Sequence, residues 1–270
     1  MSYKLHLPQL DDGDWSRGEY WRNEEFWEHL GLCDSQTIAP VFERLLPKNG
    51  RILEAGCGIG RWVVWLRRRG FQSVGMDFSE EALRRVVAHV PDTPVARADL
   101  FAIPAADATF DAILSLGVVE HAPGGPQPAL RELRRVLKPN GVLLLSVPFN
   151  NLFRRALFNH VLRGAERLFR RRGRRLEFAE YRFDRREIGD YLRQTGFEPG
   201  AFFIDELQSP KSIGLAIDLA RLLGVPGRTW DLNRAGRVVR AVCDGISPWL
   251  TAGCVLCAAR AVPAAGQAQG

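Results

Sequence analysis

The stretch ILEAGCGIGRW, residues 52–62, decides the fold of this chain. Ile52 and Leu53 end an apolar run typical of a buried parallel strand, and three glycines follow at alternate positions from Gly56 to Gly60. Glycine takes positive φ angles without steric strain and lets a ligand approach the backbone closely. We therefore predict a strand, a turn that lines a ligand pocket, and a helix directly after it.

The spacing of these glycines excludes two common phosphate-binding loops. A dinucleotide fingerprint needs a glycine three residues after the second one, whereas Arg61 or Val63 stands at that position, depending on the register. The G-x-x-x-x-G-K-[ST] phosphate loop does not occur either. Glu54 ends the predicted strand, and a carboxylate beside the loop favours a cationic ligand without polyphosphate. S-adenosylmethionine meets both conditions.

Five motifs follow one another along the chain. They are E-x-G-x-G-x-G at 54–60, VGMDFS at 74–79, RADLFAIP at 97–104, TFDAILSLGVVEHAP at 109–123 and LRELRRVLKPNGVLLLSVP at 130–148. In this order and spacing they resemble the class I S-adenosylmethionine-dependent methyltransferases, of the small-molecule type that includes ubiquinone-pathway enzymes. The likeness covers residues 36–149 well and 181–205 more loosely. It implies an α/β, Rossmann-like fold with a seven-stranded, mostly parallel sheet whose last strand is antiparallel, helices on both faces, and a basic helical insert after the fifth strand.

Hydrophobic periodicity supports the core of this fold without any resemblance. Short apolar runs alternate with segments of helical pattern, which is the βαβ rhythm of a parallel sheet. The runs are at 51–55, 72–76, 94–98, 110–116 and 141–147, and the helical patterns at 61–69, 79–89 and 127–137. Ligands of open α/β sheets bind beyond the carboxyl ends of the strands. We therefore expect Glu54, Asp77, Asp99 and Leu116 to lie together there.

The resemblance also implies roles for single residues in the cofactor site. Asp77 is expected to bind the ribose hydroxyls, and a carboxylate about 20 residues past the glycines suits two vicinal hydroxyls on physical grounds as well. Asp99 is expected to receive the adenine amino group, with Phe78 against the adenine ring. The predicted cofactor-binding set is Glu54, Gly56, Gly58, Gly60, Asp77, Phe78, Asp99, Leu100 and Leu116.

His121, in the sequence VVEHAP, is the candidate catalytic residue. Imidazole accepts a proton near neutral pH, and by resemblance the pair of Glu120 and His121 faces the active site. The alternative is a histidine that only hydrogen-bonds a loop.

Some quinone-pathway relatives hold a divalent metal with E-x-x-E-H, but Gly117 stands where the first glutamate belongs. One carboxylate and one imidazole make a poor magnesium site, so we predict no metal.

The positive charge of the chain is concentrated in one segment. Residues 150–186 contain 12 arginines, no lysine and 4 acids, a net charge of +8, whereas the whole chain carries +6. Apolar residues recur there at helical spacing, which predicts an amphipathic basic helix. The stripe comprises Phe153, Leu157, Val161, Ala165 and Leu168, widened by Leu152, Ala156, Leu162 and Phe169, and it is flanked by Arg154, Arg155, Arg163, Arg167, Arg170, Arg171 and Arg172.

Three interpretations of this segment remain open. The helix is a plain lid docked by its apolar face, a lid that also touches an anionic membrane or a lipid substrate through residues 150–175, or a nucleic-acid-binding surface. Nucleic acid ranks last because no aromatic interleaving and no RNA-binding module accompany the charge.

We predict a single domain over residues 1–270. It has an N-terminal helical cap at 1–35, a cofactor-binding core at 36–149, the basic helical insert or lid at 150–180, a C-terminal part with a helical excursion at 181–262, and a tail at 263–270. The aromatic segment 15–31 is predicted to be helical. Either Tyr20 or Trp21 lines the pocket, or these aromatics simply pack onto the helices of the sheet.

The five cysteines give no sign of disulfides, and Cys254 and Cys257 lack the second pair that a zinc or redox site would need. The sequence has no signal peptide pattern and no run of 18 apolar residues. We therefore expect a cytoplasmic protein that is at most peripheral to the inner face of the membrane.

The leading hypothesis is methyl transfer from S-adenosylmethionine to a small-molecule or lipid-linked acceptor. The alternatives are a cofactor-binding protein without catalysis that acts through its basic helix, and an RNA methyltransferase.

Overall fold

The computed structural model describes residues 2–8, 26–173, 175–223 and 230–263. The strands in this part of the chain are β1 (Tyr3–Pro8), β2 (Arg51–Ala55), β3 (Gln72–Asp77), β4 (Val95–Arg97), β5 (Phe110–Leu116), β6 (Leu137–Pro148), β7 (Leu176–Arg182), β8 (Phe197–Asp205) and β9 (Cys254–Ala261). Seven of them form one sheet in the order β4-β3-β2-β5-β6-β9-β8. Only β9 runs antiparallel to its neighbours β6 and β8. The predicted seven-stranded sheet with an antiparallel last strand is confirmed.

Helices cover both faces of this sheet, and further helices lie outside it. The helices in the described ranges are α1 (Phe26–Leu32), α2 (Ala39–Leu45), α3 (Arg61–Arg68), α4 (Glu80–His89), α5 (Gln127–Val136), α6 (Asn159–Arg171), α7 (Arg185–Gln194), α8 (Ile213–Asp218), α9 (Ala220–Leu223) and α10 (Arg234–Ile246). Successive strand residues point to opposite faces. Ile52 therefore packs with α2 and α3, whereas Leu53 packs with α5 and α7. Both residues are fully buried, and each face has its own apolar core.

The predicted N-terminal cap is described only in part. Trp15, Tyr20 and Trp21 lie outside the described residues. Within α1, Phe26 is buried and stacks on the ring of His89 in α4, with 4.8 Å between the ring centroids. This part of the segment packs against the helices of the sheet.

The basic insert is only partly helical. It begins with one π-helical turn at Arg154–Phe158, continues as α6, and ends in β7, which pairs antiparallel with β1. The sequence interpretation extended the helical insert to residue 180, but residues 176–182 form a strand. A long-range contact explains the difference, because the partner strand β1 is distant from β7 in the sequence. The inner side of α6 contacts this two-stranded sheet.

The apolar stripe predicted on the insert divides into two sets. Leu162, Ala165 and Phe169 are half-buried, whereas Leu157, Val161 and Leu168 are exposed. Docking of the helix therefore buries only part of the apolar stripe. Helical periodicity marks both sets because the stripe is wide, and it does not tell which side has a partner. No helix in the described ranges is long and apolar enough to cross a bilayer.

Arg154 was expected to flank the stripe, but it is buried, with 2% of its side chain exposed. Its Nε donates to Asp218 Oδ2 at 2.6 Å, and its Nη1 donates to the carbonyl oxygens of Phe149 and Gly253. Asp218, in α8, also pairs with Arg182 of β7 at 3.4 Å. One carboxylate thus joins the insert, the two-stranded sheet and the helical excursion that follows β8.

Replacing Asp218 by alanine should destabilise the protein by about 3–5 kcal/mol, because the substitution leaves buried Arg154 without its carboxylate partner and removes one of the two carboxylates that pair with Arg182. Chemical denaturation measures this loss. Asp190→Ala is the matched control, since the pair of Asp190 and Arg193 is about half exposed on both sides and such pairs contribute about 0–1 kcal/mol. Equal stability of the two variants would contradict the role given to Asp218.

Candidate cofactor and active site

A cavity of about 450 Å³ opens at the carboxyl ends of β2, β3 and β5. Its volume lies within the range of small-molecule sites. Every residue of the predicted site except Gly60 lines it: Glu54, Gly56, Gly58, Asp77, Phe78, Asp99, Leu100, Leu116 and His121. The structure thus brings the predicted residues together, although the role of each remains a prediction.

The glycine loop follows β2 with φ angles of +82° at Gly56, +51° at Gly58 and +67° at Gly60. The N–H groups of Gly56 and Cys57 both donate to the carbonyl oxygen of Met76, at 2.7 and 2.9 Å. These two bonds hold the loop against the end of β3. A Cβ at Gly56 would overlap the side chain of Val118, so both the backbone angle and the space require glycine there.

Gly60 has a different place from the other two glycines. It precedes α3, and a Cβ on it would lie 2.9 Å from Val86 Cγ2 in α4. Its lack of a side chain therefore serves the packing of the end of the glycine loop against α4, away from the cavity lining.

Glu54 is a buried carboxyl group at the base of the cavity. Only 3% of the residue is exposed, and its Oε2 has no hydrogen-bond partner. Burial raises the pKa of Glu54 to about 8, although the positive charge of Arg61 opposes this effect. An unpartnered, buried carboxyl oxygen in a cavity is satisfied by a ligand that carries a proton donor or a positive charge.

Asp77 ends β3 and is 7% exposed. Its Oδ2 accepts from Gly58 N at 2.7 Å and its Oδ1 from Ser79 N at 2.8 Å. Burial raises the pKa of Asp77, and these backbone donors oppose the rise. Because each carboxylate oxygen accepts more than one bond, the fixed carboxylate still has acceptor capacity for ligand hydroxyls.

The outer part of the cavity is more accessible. Phe78 is 44% exposed, and Asp99 is exposed while its Oδ1 accepts from Phe101 N at 2.9 Å. Leu100 and Leu116 are half-buried in the cavity lining. An aromatic ring, a carboxylate and two leucines suit a planar, polar-edged group such as adenine.

His121 closes a short 3-10 turn, Val119–His121, on the loop after β5. Its Nδ1 lies 2.8 Å from the carbonyl oxygen of Ala179 in β7. A carbonyl only accepts, so Nδ1 carries the proton, and in the neutral ring Nε2 is the nitrogen with the lone pair. Nε2 lies 3.8 Å from Glu120 Oε1. The ring borders the cavity in the tautomer that a base at Nε2 requires.

Glu120 is the second buried carboxyl group near this ring. It is 2% exposed, and its Oε2 has no hydrogen-bond partner. Burial raises the pKa of Glu120 well above its usual range, and the nearby charge of Glu180 adds to this effect. Burial therefore favours the neutral form of Glu120. No group of three or more histidine, cysteine or carboxylate residues in the described ranges could hold a metal ion.

Sequence reasoning missed Glu180 and Arg61 in the cavity lining. Glu180 reaches the cavity from β7, where it accepts from Arg182 Nε at 3.0 Å. The alternation in Leu176-Glu177-Phe178 was the available signal for a strand there. Arg61 is the first residue of α3 and follows the last glycine of the loop directly.

Comparison with known proteins agrees with this geometry. Residues 26–199 match the family described as "Methyltransferase domain". A Mycobacterium tuberculosis protein named a probable S-adenosylmethionine-dependent methyltransferase is 34% identical over 110 residues, which are 40% of this chain and 40% of that protein. The malonyl-[acyl-carrier protein] O-methyltransferase of Erwinia pyrifoliae is 39% identical over 107 residues, 39% and 40% of the two chains. The matched part thus spans about two fifths of these curated relatives.

Among solved structures, a SAM-dependent methyltransferase from Methanosarcina mazei superimposes with a TM-score of 0.57 at 18% identity, covering 83% of this chain and 98% of that one. One from Mesorhizobium loti gives a TM-score of 0.55 at 18% identity, covering 84% and 99%. These likenesses show the fold. The chain belongs to the methyltransferase-domain family and has the fold of the class I S-adenosylmethionine-dependent methyltransferases.

Proposed function

We propose that this protein transfers the methyl group of S-adenosylmethionine to a small-molecule or lipid-linked acceptor. The observation that supports this function most is the cavity in which the positive-φ glycine loop, buried Glu54 and Asp77 lie together at the carboxyl ends of parallel strands. Family membership supplies the cofactor class. The names of the relatives state different acceptors, so they do not identify the acceptor of this protein. The acceptor class is therefore part of the proposal.

The residues present fit S-adenosylmethionine. Glu54 would hold a positively charged part of the cofactor, Asp77 the ribose hydroxyls, and Asp99 with Phe78 the adenine. When bound, the cofactor supplies an electrophilic methyl group on a sulfonium. The side chains of Trp62 and Ile103 add buried apolar surface to the cavity. Apolar walls of this kind help to exclude water from a reaction site.

His121 is proposed as the base for an acceptor that must lose a proton. Ala179 fixes the tautomer, so that Nε2 is the nitrogen that accepts the proton. Methyl transfer is an in-line displacement, and positioning of the acceptor supplies much of the catalysis. If the acceptor attacks without losing a proton, no base is needed, and His121 serves only as part of the cavity wall.

A cytoplasmic location remains a prediction of the sequence.

Calorimetric titration with S-adenosylmethionine, S-adenosylhomocysteine and NAD tests the cofactor assignment. We expect micromolar affinity for both sulfur compounds and no binding of NAD. Asp77→Ala should weaken binding by on the order of 1–3 kcal/mol, because hydrogen bonds to the ribose are lost. Asp107→Ala is the matched control, since Asp107 is an exposed aspartate that pairs with Arg135 outside the cavity.

Absence of binding by both sulfur compounds would overturn the proposed function. Unchanged affinity of Asp77→Ala would remove Asp77 from the site. Because Asp77 also accepts from the Gly58 and Ser79 amides, the unfolding midpoint of the variant is measured in parallel.

Glu54 predicts a pH dependence of stability in the absence of cofactor. The unfolded chain loses the Glu54 proton near pH 4.5, but the folded protein retains it up to about pH 8. The folded protein therefore loses stability as the pH rises through this window. In thermal unfolding between pH 5 and pH 9, Glu54→Gln should gain on the order of 3 kcal/mol over the wild type at the alkaline end. Parallel curves for the two proteins would contradict the buried, protonated state of Glu54.

His121→Ala should bind the cofactor normally and turn over an identified acceptor at least about a hundredfold more slowly, as expected for a lost general base. Formation of S-adenosylhomocysteine measures turnover. Equal turnover of the two proteins would assign His121 a structural role.

A further inference from the structure

We infer that the outer face of α6 is a docking surface for an anionic membrane. The first observation is a row of exposed aliphatic side chains. Leu157 is 50% exposed, Val161 59% and Leu168 48%. At about 100° per residue, Val161 and Leu168 share one side of α6, and Leu157 continues the row on the preceding turn. The row is exposed along the length of the helix.

The second observation is the charge beside this row. On the same helical geometry Arg171 and Arg167 lie beside the aliphatic row, about 60–120° from it around the helix, whereas Arg163 and Arg170 lie about 140–180° from it. Arg167, Arg170 and Arg171 are exposed. Aliphatic side chains next to arginines suit the boundary between acyl chains and anionic headgroups. The long arginine side chains reach phosphates while their stems cover apolar surface.

The third observation is that the opposite face of α6 is already occupied. His6 N of β1 donates to Glu166 Oε1 at 3.2 Å, and the guanidinium of Arg163 lies 5.5 Å from the ring centroid of Tyr3. The inner face thus rests on the two-stranded sheet. This contact fixes the helix with its aliphatic row outward.

An anionic membrane explains both parts of the surface. A nucleic acid would use the arginines, but the aliphatic row would gain nothing from phosphates. A second copy of the chain would bring its own arginines, which repel those present. The proposal does not depend on the methyl acceptor, because vesicle binding is read without turnover.

Co-sedimentation with vesicles tests the proposal. The wild type should bind vesicles of phosphatidylcholine with phosphatidylglycerol, bind vesicles of phosphatidylcholine alone far less, and lose affinity as salt rises. The triple variant Arg167→Gln, Arg170→Gln and Arg171→Gln should bind anionic vesicles on the order of a hundredfold more weakly, at about fivefold per arginine. Leu157→Gln with Leu168→Gln, which leaves the charge unchanged, should weaken binding by at least about tenfold.

Matched controls lie on other helices. Arg84→Gln, Arg131→Gln and Arg237→Gln remove the same charge from exposed positions, and Val238→Gln with Val242→Gln changes an equally exposed apolar pair on α10. Both controls should bind vesicles like the wild type. Retained S-adenosylmethionine binding shows that each variant is folded.

Three results would overturn the proposal. The first is no binding of the wild type to anionic vesicles, and the second is equal loss in the controls and the α6 variants. The third is concentration-dependent self-association that the leucine variants abolish while vesicle binding stays unchanged, which would make the face a contact between copies. Salt-sensitive RNA binding without vesicle binding would assign the arginines to nucleic acid.

Discussion

The site depends on the two hydrogen bonds that the Gly56 and Cys57 amides donate to the carbonyl oxygen of Met76. They turn the chain sharply out of β2 and hold the turn against the end of β3, where Asp77 follows directly. The turn leaves no room for a Cβ at Gly56 beside Val118. Val118 belongs to the loop that carries His121, so the glycine loop after β2 and the loop after β5 are in contact. A change in one is transmitted to the other by packing.

Two carboxyl groups of the cavity share one electrostatic condition. Burial raises the pKa of Glu54 and Asp77, so their surroundings disfavour negative charge although the cavity is lined with acids. A cationic ligand reverses this balance, because it stabilises the ionised form of the carboxyl group that it contacts. An anionic cofactor would meet carboxyl groups that oppose it. The sign of the charge that the cavity accepts thus follows from burial as much as from composition.

Local pattern predicted the parallel core of the sheet from apolar runs, whereas the seven-stranded sheet with its antiparallel last strand followed from the resemblance. The gathering of Glu54, Asp77 and Asp99 in one cavity followed from their places at strand ends. What the sequence did not reveal depends on partners far along the chain. Glu180 reaches the cavity because β7 pairs with β1, and Arg154 is buried because Asp218, 64 residues later, neutralises it. Periodicity alone cannot distinguish a buried arginine that has a distant carboxylate from one that flanks a helix.

The strand β7 links the two halves of the functional proposal. On one side its Ala179 carbonyl holds Nδ1 of His121, and its Glu180 lines the cavity. On the other side the two-stranded sheet that it forms with β1 supports α6. The orientation of the His121 ring therefore depends on the same strand that positions the basic helix. If α6 rests on a lipid surface, the strand that forms part of the cavity wall and sets the tautomer of His121 lies directly behind the docked helix, which is an arrangement suited to an acceptor that is itself carried in lipid.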